Sequence, residues 1–223
     1  MREDVSFLDF HTHQLNSGEN SESIYNARFS EFDTLPETQR ISLGIHPWYI
    51  EENELEEQLQ GIERAIQTRR ITTLGECGLD RLTKAPLSLQ ESIFERQLML
   101  AQQHQIPVTI HCVRAFPELI QLVKRLKITT PLIVHGFNNK PEIVQQLQKY
   151  DFYFSLGKAL LQDDSNAVKR LKMISLDRLF LETDDQEISI SSIFAAASKH
   201  LNIPVSTLKD QIWRNFHRMA PIP

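Results

Sequence analysis

The chain has 223 residues, 41% of them hydrophobic, with 24 basic against 29 acidic side chains and a formal net charge of −5. That is enough apolar material for one sizeable core, and the charge balance excludes gripping nucleic acid by bulk positive charge. Two cysteines exclude a disulfide framework and fit a reducing, cytoplasmic setting. The opening MREDVSFLDFHTH has no apolar leader, and no stretch approaches the length of a membrane span, so no membrane partner is expected.

Short apolar runs predict strands at residues 5–10, 23–28, 41–45, 71–74, 108–110, 132–134, 152–156 and 179–181. The second is the weakest, because Asn26 and Arg28 interrupt it. Helical spacing falls between most of the runs. Residues 51–69 carry Leu55, Leu59, Ile62 and Ile66, and the acidic stretch from Glu51 to Glu57 reads as a helix start. Residues 89–104 present Ile93, Phe94, Gln97, Leu98 and Ala101 on one face. Further helices are expected at 117–126, 141–149, 164–173, 189–200 and 205–219, with Pro117 and Pro141 in the first turns that tolerate them. Strands alternating with helices make a parallel α/β sheet. Eight of them point to a (β/α)8 TIM-type barrel with a reduced or missing helix after strand 1, and a doubly wound open sheet is the structural alternative. No boundary divides the chain, so residues 1–223 read as a single domain.

The polar residues cluster at strand ends. The first run leads into His11-Thr12-His13, the third into His46, the fourth into Glu76, the fifth into His111, the sixth into His135 and the eighth into Glu182-Thr183-Asp184. In a barrel these converge on the C-terminal mouth, where barrel enzymes place their chemistry. His11 and His13 are two apart, so an extended chain turns both to one face. Imidazole nitrogens with carboxylate oxygens suit Zn, Mn or Fe, and Mg less securely. A carboxylate that bridges two cations suits phosphoester hydrolysis, and Glu76 is the best candidate for one. His104, His200 and His217 lie on helices and read as structural. Cys77 and Cys112 follow Glu76 and His111, so alternation turns them to the helix layer as packing residues. Asp9, one layer below His11, is placed to orient a ligand imidazole, and Glu182 stands likewise to Asp184. Trp48 is placed either to pack or to stack on a base. Arg81, Arg114 and Lys158 lie just past strand ends, where a phosphate could be met.

In this order the motifs LDFHTH, GIHPW, LGECGLD, FERQLMLA, VTIH, IVHGF and LETD, from Leu8 to Asp184, resemble the TatD family of metal-dependent hydrolases within the amidohydrolase superfamily. The closing IWRNFHRM is similar to the family's last helix. The resemblance implies a (β/α)8 phosphoesterase with two divalent metal ions (Mg, Mn or Zn). It also implies a phosphodiester substrate, such as short or single-stranded DNA, and no obligate protein partner. It gives the first metal to His11, His13 and Asp184, the second to His111 and His135, and makes Glu76 the bridge. Asp184 and Glu76 would be the catalytic carboxylates, working on a metal-activated water. His46 and Arg114 would meet the substrate. The sequence departs from the family after LETD, where Asp185-Gln186-Glu187 leads straight into a helix in place of a long basic loop. That weakens the expectation of a tight grip on polynucleotide. Two other readings remain at this stage: an amide- or lactone-cleaving member of the superfamily, and a non-catalytic metal-binding scaffold.

Overall fold

The structure is a computed structural model that describes residues 5–15 and 20–219. The chain begins with β1 (Phe7–Thr12), β2 (Ser21–Ala27) and β3 (Arg40–Leu43). It continues through α1 (Leu55–Gln67), β4 (Thr73–Asp80), α2 (Leu87–His104), β5 (Val108–Val113), α3 (Phe116–Leu126) and β6 (Leu132–Val134). Then follow α4 (Pro141–Gln148), β7 (Tyr153–Leu156), α5 (Asn166–Leu171), β8 (Leu179–Leu181), α6 (Ile190–Leu201) and α7 (Val205–Met219).

All eight strands belong to one sheet in the order β1 through β8. The described pairings, β1 with β2, β3 with β4, β4 with β5, β5 with β6 and β7 with β8, are parallel. A doubly wound sheet reverses its strand order at a switch point. This order never reverses, so the fold class is the (β/α)8 barrel that the strand count predicts. Among the described residues no helix separates β1 from β2. The connection from β2 to β3 is also without an α-helix and carries a single 3-10 turn at Phe32–Thr34. Arg70 covers that shortened connection: its guanidinium lies 5.5 Å over the Phe32 ring and donates to the Leu35 carbonyl at 3.1 Å.

By packing, the chain divides into two compact units. One runs to Tyr25 and resumes at His135; the other is Asn26–Val134. The first is built around phenylalanines, with Phe10 stacked on Phe180 at 4.2 Å and Phe137 edge-on to Phe154 at 4.9 Å. The second buries Ile41, Leu43, Leu74 and Ile110 from its strands, and α2 packs on β4. The face predicted for α2 is the one that packs, and Gln90 joins it.

Two strand ends differ from expectation in a way that matters for the site. β4 continues four residues past Glu76, and every one of its residues is buried. Glu76 is therefore inside a strand and not beyond its end. Glycines normally weaken a strand, so GECG reads as a terminus. Here Gly75 and Gly78, both at φ +144°, let β5 approach closely. A Cβ at Gly75 would sit 2.3 Å from the Thr109 carbonyl oxygen, and one at Gly78 only 2.1 Å from that of His111. β5 likewise extends three residues further than predicted and carries His111 within it. The other helices start or stop within a few residues of their expected bounds, except that residues 51–54 lie outside α1.

Candidate metal centre

In the first unit, β1 and the segment after β8 lock together through the main chain. Asp184 N–H donates to the His11 carbonyl at 2.9 Å, and His13 N–H donates to the Asp184 carbonyl at 3.0 Å. These bonds flank Thr12 and put Asp184, at φ +58°, beside both imidazoles. Asp184 Oδ1 lies 3.7 Å from His11 Nε2 and 3.6 Å from His13 Nε2. His135 completes the group: its ring is 4.4 Å from that of His11, and the ligand atoms of His11, His135 and Asp184 lie within 4.8 Å of one another. His11 is fully buried, whereas His13 and Asp184 reach solvent.

Two buried carboxylates support this group, each differently from expectation. Asp9 accepts from Thr183, its N–H at 3.0 Å and its hydroxyl at 2.6 Å, and so ties β1 to the end of β8. It steadies the frame of the site and takes those bonds from a threonine, not from an imidazole. Burial pushes the Asp9 carboxyl up to about 7 against those bonds. Glu182 serves His135 and not Asp184. Its Oε1 lies 3.6 Å from His135 Nδ1 and accepts from Gly136 N–H at 2.5 Å. Burial alone would raise the Glu182 carboxyl, but His135, His11 and Ser155 pull it below the usual range.

In the second unit the centre is Glu76. His111 Nδ1 lies 2.8 Å from its Oε1, and His46 Nε2 lies 3.1 Å from the same atom. Asn26 grips it twice, donating through Nδ2 to Glu76 Oε2 at 3.2 Å and accepting from Glu76 N–H at 2.9 Å. Ser42 in turn donates to Asn26 Oδ1 at 3.1 Å. On the far side of His111, Nε2 meets Asp80 Oδ2 at 3.1 Å. That oxygen also accepts the Trp48 indole N–H at 2.6 Å, and Asp80 Oδ1 accepts from Leu82 N–H at 2.7 Å. Burial would raise the Asp80 carboxyl, but the bonds from Trp48, Leu82 and His111 hold it below its ordinary range.

These contacts fix proton positions. Trp48 N–H donates to His46 Nδ1 at 3.1 Å. A neutral imidazole with an accepting Nδ1 carries its proton on Nε2, and in that tautomer His46 donates to Glu76. His111 is the reverse case. Asp80, already an acceptor, takes the Nε2 proton, which leaves the Nδ1 lone pair facing the Glu76 carboxylate. Two lone pairs at 2.8 Å repel, and an electrophile between them, a divalent cation or a proton, removes the repulsion. Nitrogen and carboxylate donors fit such a cation in both units. In each, a further carboxylate stands at a ligand imidazole, as metal sites commonly have.

Helix α2 sets the backbone beneath these groups with two glutamines seven residues apart. Gln97 accepts from Ile45 N–H at 2.8 Å and donates back to its carbonyl at 3.2 Å. Gln90 brackets Asp80 in the same way, at 2.7 and 3.0 Å. Each behaves as a fragment of β-strand inserted from a helix.

A family model described as TatD related DNase matches residues 12–220. The chain belongs to the TatD family. It is 27% identical over 201 residues to a Haemophilus influenzae protein named as an uncharacterized metal-dependent hydrolase, covering 81% of this chain and 76% of that one. It is 30% identical over 162 residues to the 3'-5' ssDNA/RNA exonuclease TatD of a Rahnella species, covering 68% of this chain and 59% of that one. The match to the second relative thus takes in less than two thirds of its length. The crystal structure of the TatD homologue YjjV of Escherichia coli superposes with a TM-score of 0.81 at 21% identity, over 97% of this chain and 98% of that one. It shares the fold.

Of the residues predicted from the TatD-like motifs, His11, His13, His135 and Asp184 come together in one unit, and His46, Glu76 and His111 in the other. Arg114 ends β5 with an exposed side chain and φ +55°. Arg81 is taken by Glu118 at 2.5 Å and Lys158 is exposed. The helical histidines behave as controls: His104 meets Glu63, His200 meets Asp163, and His217 stacks on Trp213. Burial raises both cysteine thiols, which keeps them inert. Sequence reasoning missed Asn26, Asp80, Gln90 and the bonding role of Gln97. For Asn26 the signal was present, as the polar interruption of β2. For Asp80 it was the shared strand face of residues 76, 78 and 80.

Proposed function

We propose that this protein is a metal-dependent phosphodiesterase that hydrolyses short or single-stranded DNA. The observation that carries this reading is the Glu76–His111 pair, a buried carboxylate oxygen and an imidazole nitrogen 2.8 Å apart and grouped with His46, donors of the kind a divalent cation takes. The 3'-5' ssDNA/RNA exonuclease among its TatD relatives supports the choice of bond. Two divalent ions (Mg, Mn or Zn) would be held, one by His11, His13 and Asp184, the other by Glu76 and His111; His135, which the resemblance gave to the second, has its ring 4.4 Å from that of His11 and would join the first. Such cations supply charge neutralisation at phosphate oxygens and a more acidic water nucleophile. They also answer the net charge of −5, which gives no positive surface of its own. Asp184, partly open to solvent, is the group to accept the proton of the attacking water. His46, whose Nε2 lies 3.1 Å from Glu76, is the group that holds that carboxylate beside the phosphate. Arg114 is the exposed cation for the flanking phosphate. The shortened segment between Asp184 and the Ser189 cap of α6 suits short substrates better than long duplexes.

The test is hydrolysis of a single-stranded oligonucleotide and of methyl p-nitrophenyl phosphate with Mg, Mn or Zn. Turnover by the wild type that falls by more than about a hundredfold in both Glu76→Ala and Asp184→Ala is expected, beyond the 10–100-fold typical of a supporting residue. Activity unchanged in Glu76→Ala contradicts the proposal.

A further inference from the structure

Beside the Asp80–His111–Glu76 chain lies an open pocket of about 660 Å³, between the loop after β3 and the loop after β4. Trp48, Asp80, Leu82 and Lys84 line it. Trp48 and Leu82 are 56% and 63% exposed, and packing alone does not call for a tryptophan in that position. Its ring is nonetheless held firmly. The indole N–H bonds Asp80 at 2.6 Å, and the His46 and His111 rings meet it in T-shaped contacts at 5.2 and 5.8 Å. An aromatic surface open to solvent is thus wired to a candidate metal ligand through one carboxylate.

We propose that this pocket takes the base of an unpaired nucleotide whose phosphate is engaged at the Glu76–His111 group, with the base stacked on Trp48. The inference rests on the phosphodiesterase reading and adds the element that holds the substrate. The volume accommodates a nucleoside, and Lys84 places a cation on the rim for the anionic backbone. Both Asp80 oxygens are already engaged, by Trp48, His111 and Leu82 N–H. The pocket therefore offers a stacking face whose inner carboxylate is already engaged, with Glu52 the other carboxylate of the lining and exposed. Stacking of this kind tolerates every base. The site should prefer nucleotides to sugar phosphates without preferring one base strongly.

The experiment is calorimetric titration of the Mn-loaded protein with dAMP, dCMP and 2-deoxyribose 5-phosphate, in the wild type, Trp48→Phe and Trp48→Leu. Both nucleotides are expected to bind within a few-fold of each other and about tenfold or more tighter than the sugar phosphate. Trp48→Leu should lose that tenfold preference for the nucleotides over the sugar phosphate. Trp48→Phe, which keeps a ring but drops the bond to Asp80, should retain most of it. Equal binding of all three probes by the wild type overturns the proposal, as does binding of none. So does a Trp48→Phe loss as deep as that of Trp48→Leu, since Trp48 would then act only through Asp80. Because binding is read without turnover, the pocket can fail while the protein hydrolyses phosphodiesters, and the converse is equally visible.

Discussion

In the unit that runs to Tyr25 and resumes at His135, His11, His13 and Asp184 are held by two main-chain bonds that flank Thr12. In residues 26–134, Glu76 and His111 are held instead by side chains: Asn26 and His46 on one, Asp80 on the other. The first arrangement depends on strand pairing and survives loss of any one supporting side chain. The second is a chain of side-chain bonds in which each link sets the next proton, so it transmits a substitution directly to the ligand atoms. The first also reaches solvent through His13 and Asp184, while Glu76 is 5% exposed. An accessible ligand group suits water exchange and proton release, and a buried one suits fixed geometry.

The sharpest break of this contrast is Gly78→Ala. A Cβ there would lie 2.1 Å from the His111 carbonyl oxygen, at a φ of +144° that side chains rarely adopt. We expect a loss of about 3 kcal/mol or more, seen as a melting temperature lowered by roughly 6–12 °C, with activity falling as His111 moves. An unchanged melting curve would show that β5 yields freely at this point.

A milder pair separates the two kinds of support. Asn26→Ala should lower Mn affinity or turnover by about 10–100-fold, the usual cost of losing a group that orients a ligand. Thr183→Val removes the hydroxyl bonded to Asp9 but leaves the main-chain bonds around Thr12. It should cost about 1–3 kcal/mol of stability while Mn affinity changes by less than tenfold. Calorimetry of both variants decides it. Equal losses of affinity would mean that the first unit also depends on its side chains.

Much of this was legible in the sequence, and the boundary is physical. The histidines and Asp184 stand out because each follows an apolar run, and a strand end is a local signal. Glu76 stands out as a candidate ligand but is misplaced at a strand end, because glycines read as a break until β5 is seen pressed against them. Asn26 and Asp80 act through bonds to partners 50 and 31 residues away; the polar interruption of β2 and the shared face of residues 76, 78 and 80 mark these positions but do not say which partner they meet. The glutamines of α2 were legible as one face of a helix, but not as substitutes for strand bonds, since that needs the ends of β3 and β4 to lie alongside.

The smallest expected effect marks the limit of the contrast. Arg96 and Glu56 make a two-pronged ion pair at 2.6 and 2.8 Å on the surface. Both ends reach water, so Arg96→Ala should cost under about 1 kcal/mol and leave turnover alone. A larger loss of activity would reveal a path from α1 and α2 into the site that the bonds of Gln90 and Gln97 do not explain.

The central proposal is that each unit would hold its own cation. It is tested most directly by anomalous diffraction from crystals of the protein soaked in Mn. The account predicts one peak among His11, His13, His135 and Asp184 and another at Glu76 and His111, the second disappearing in Glu76→Ala while the first remains. Wild-type crystals with no Mn at either group would contradict it.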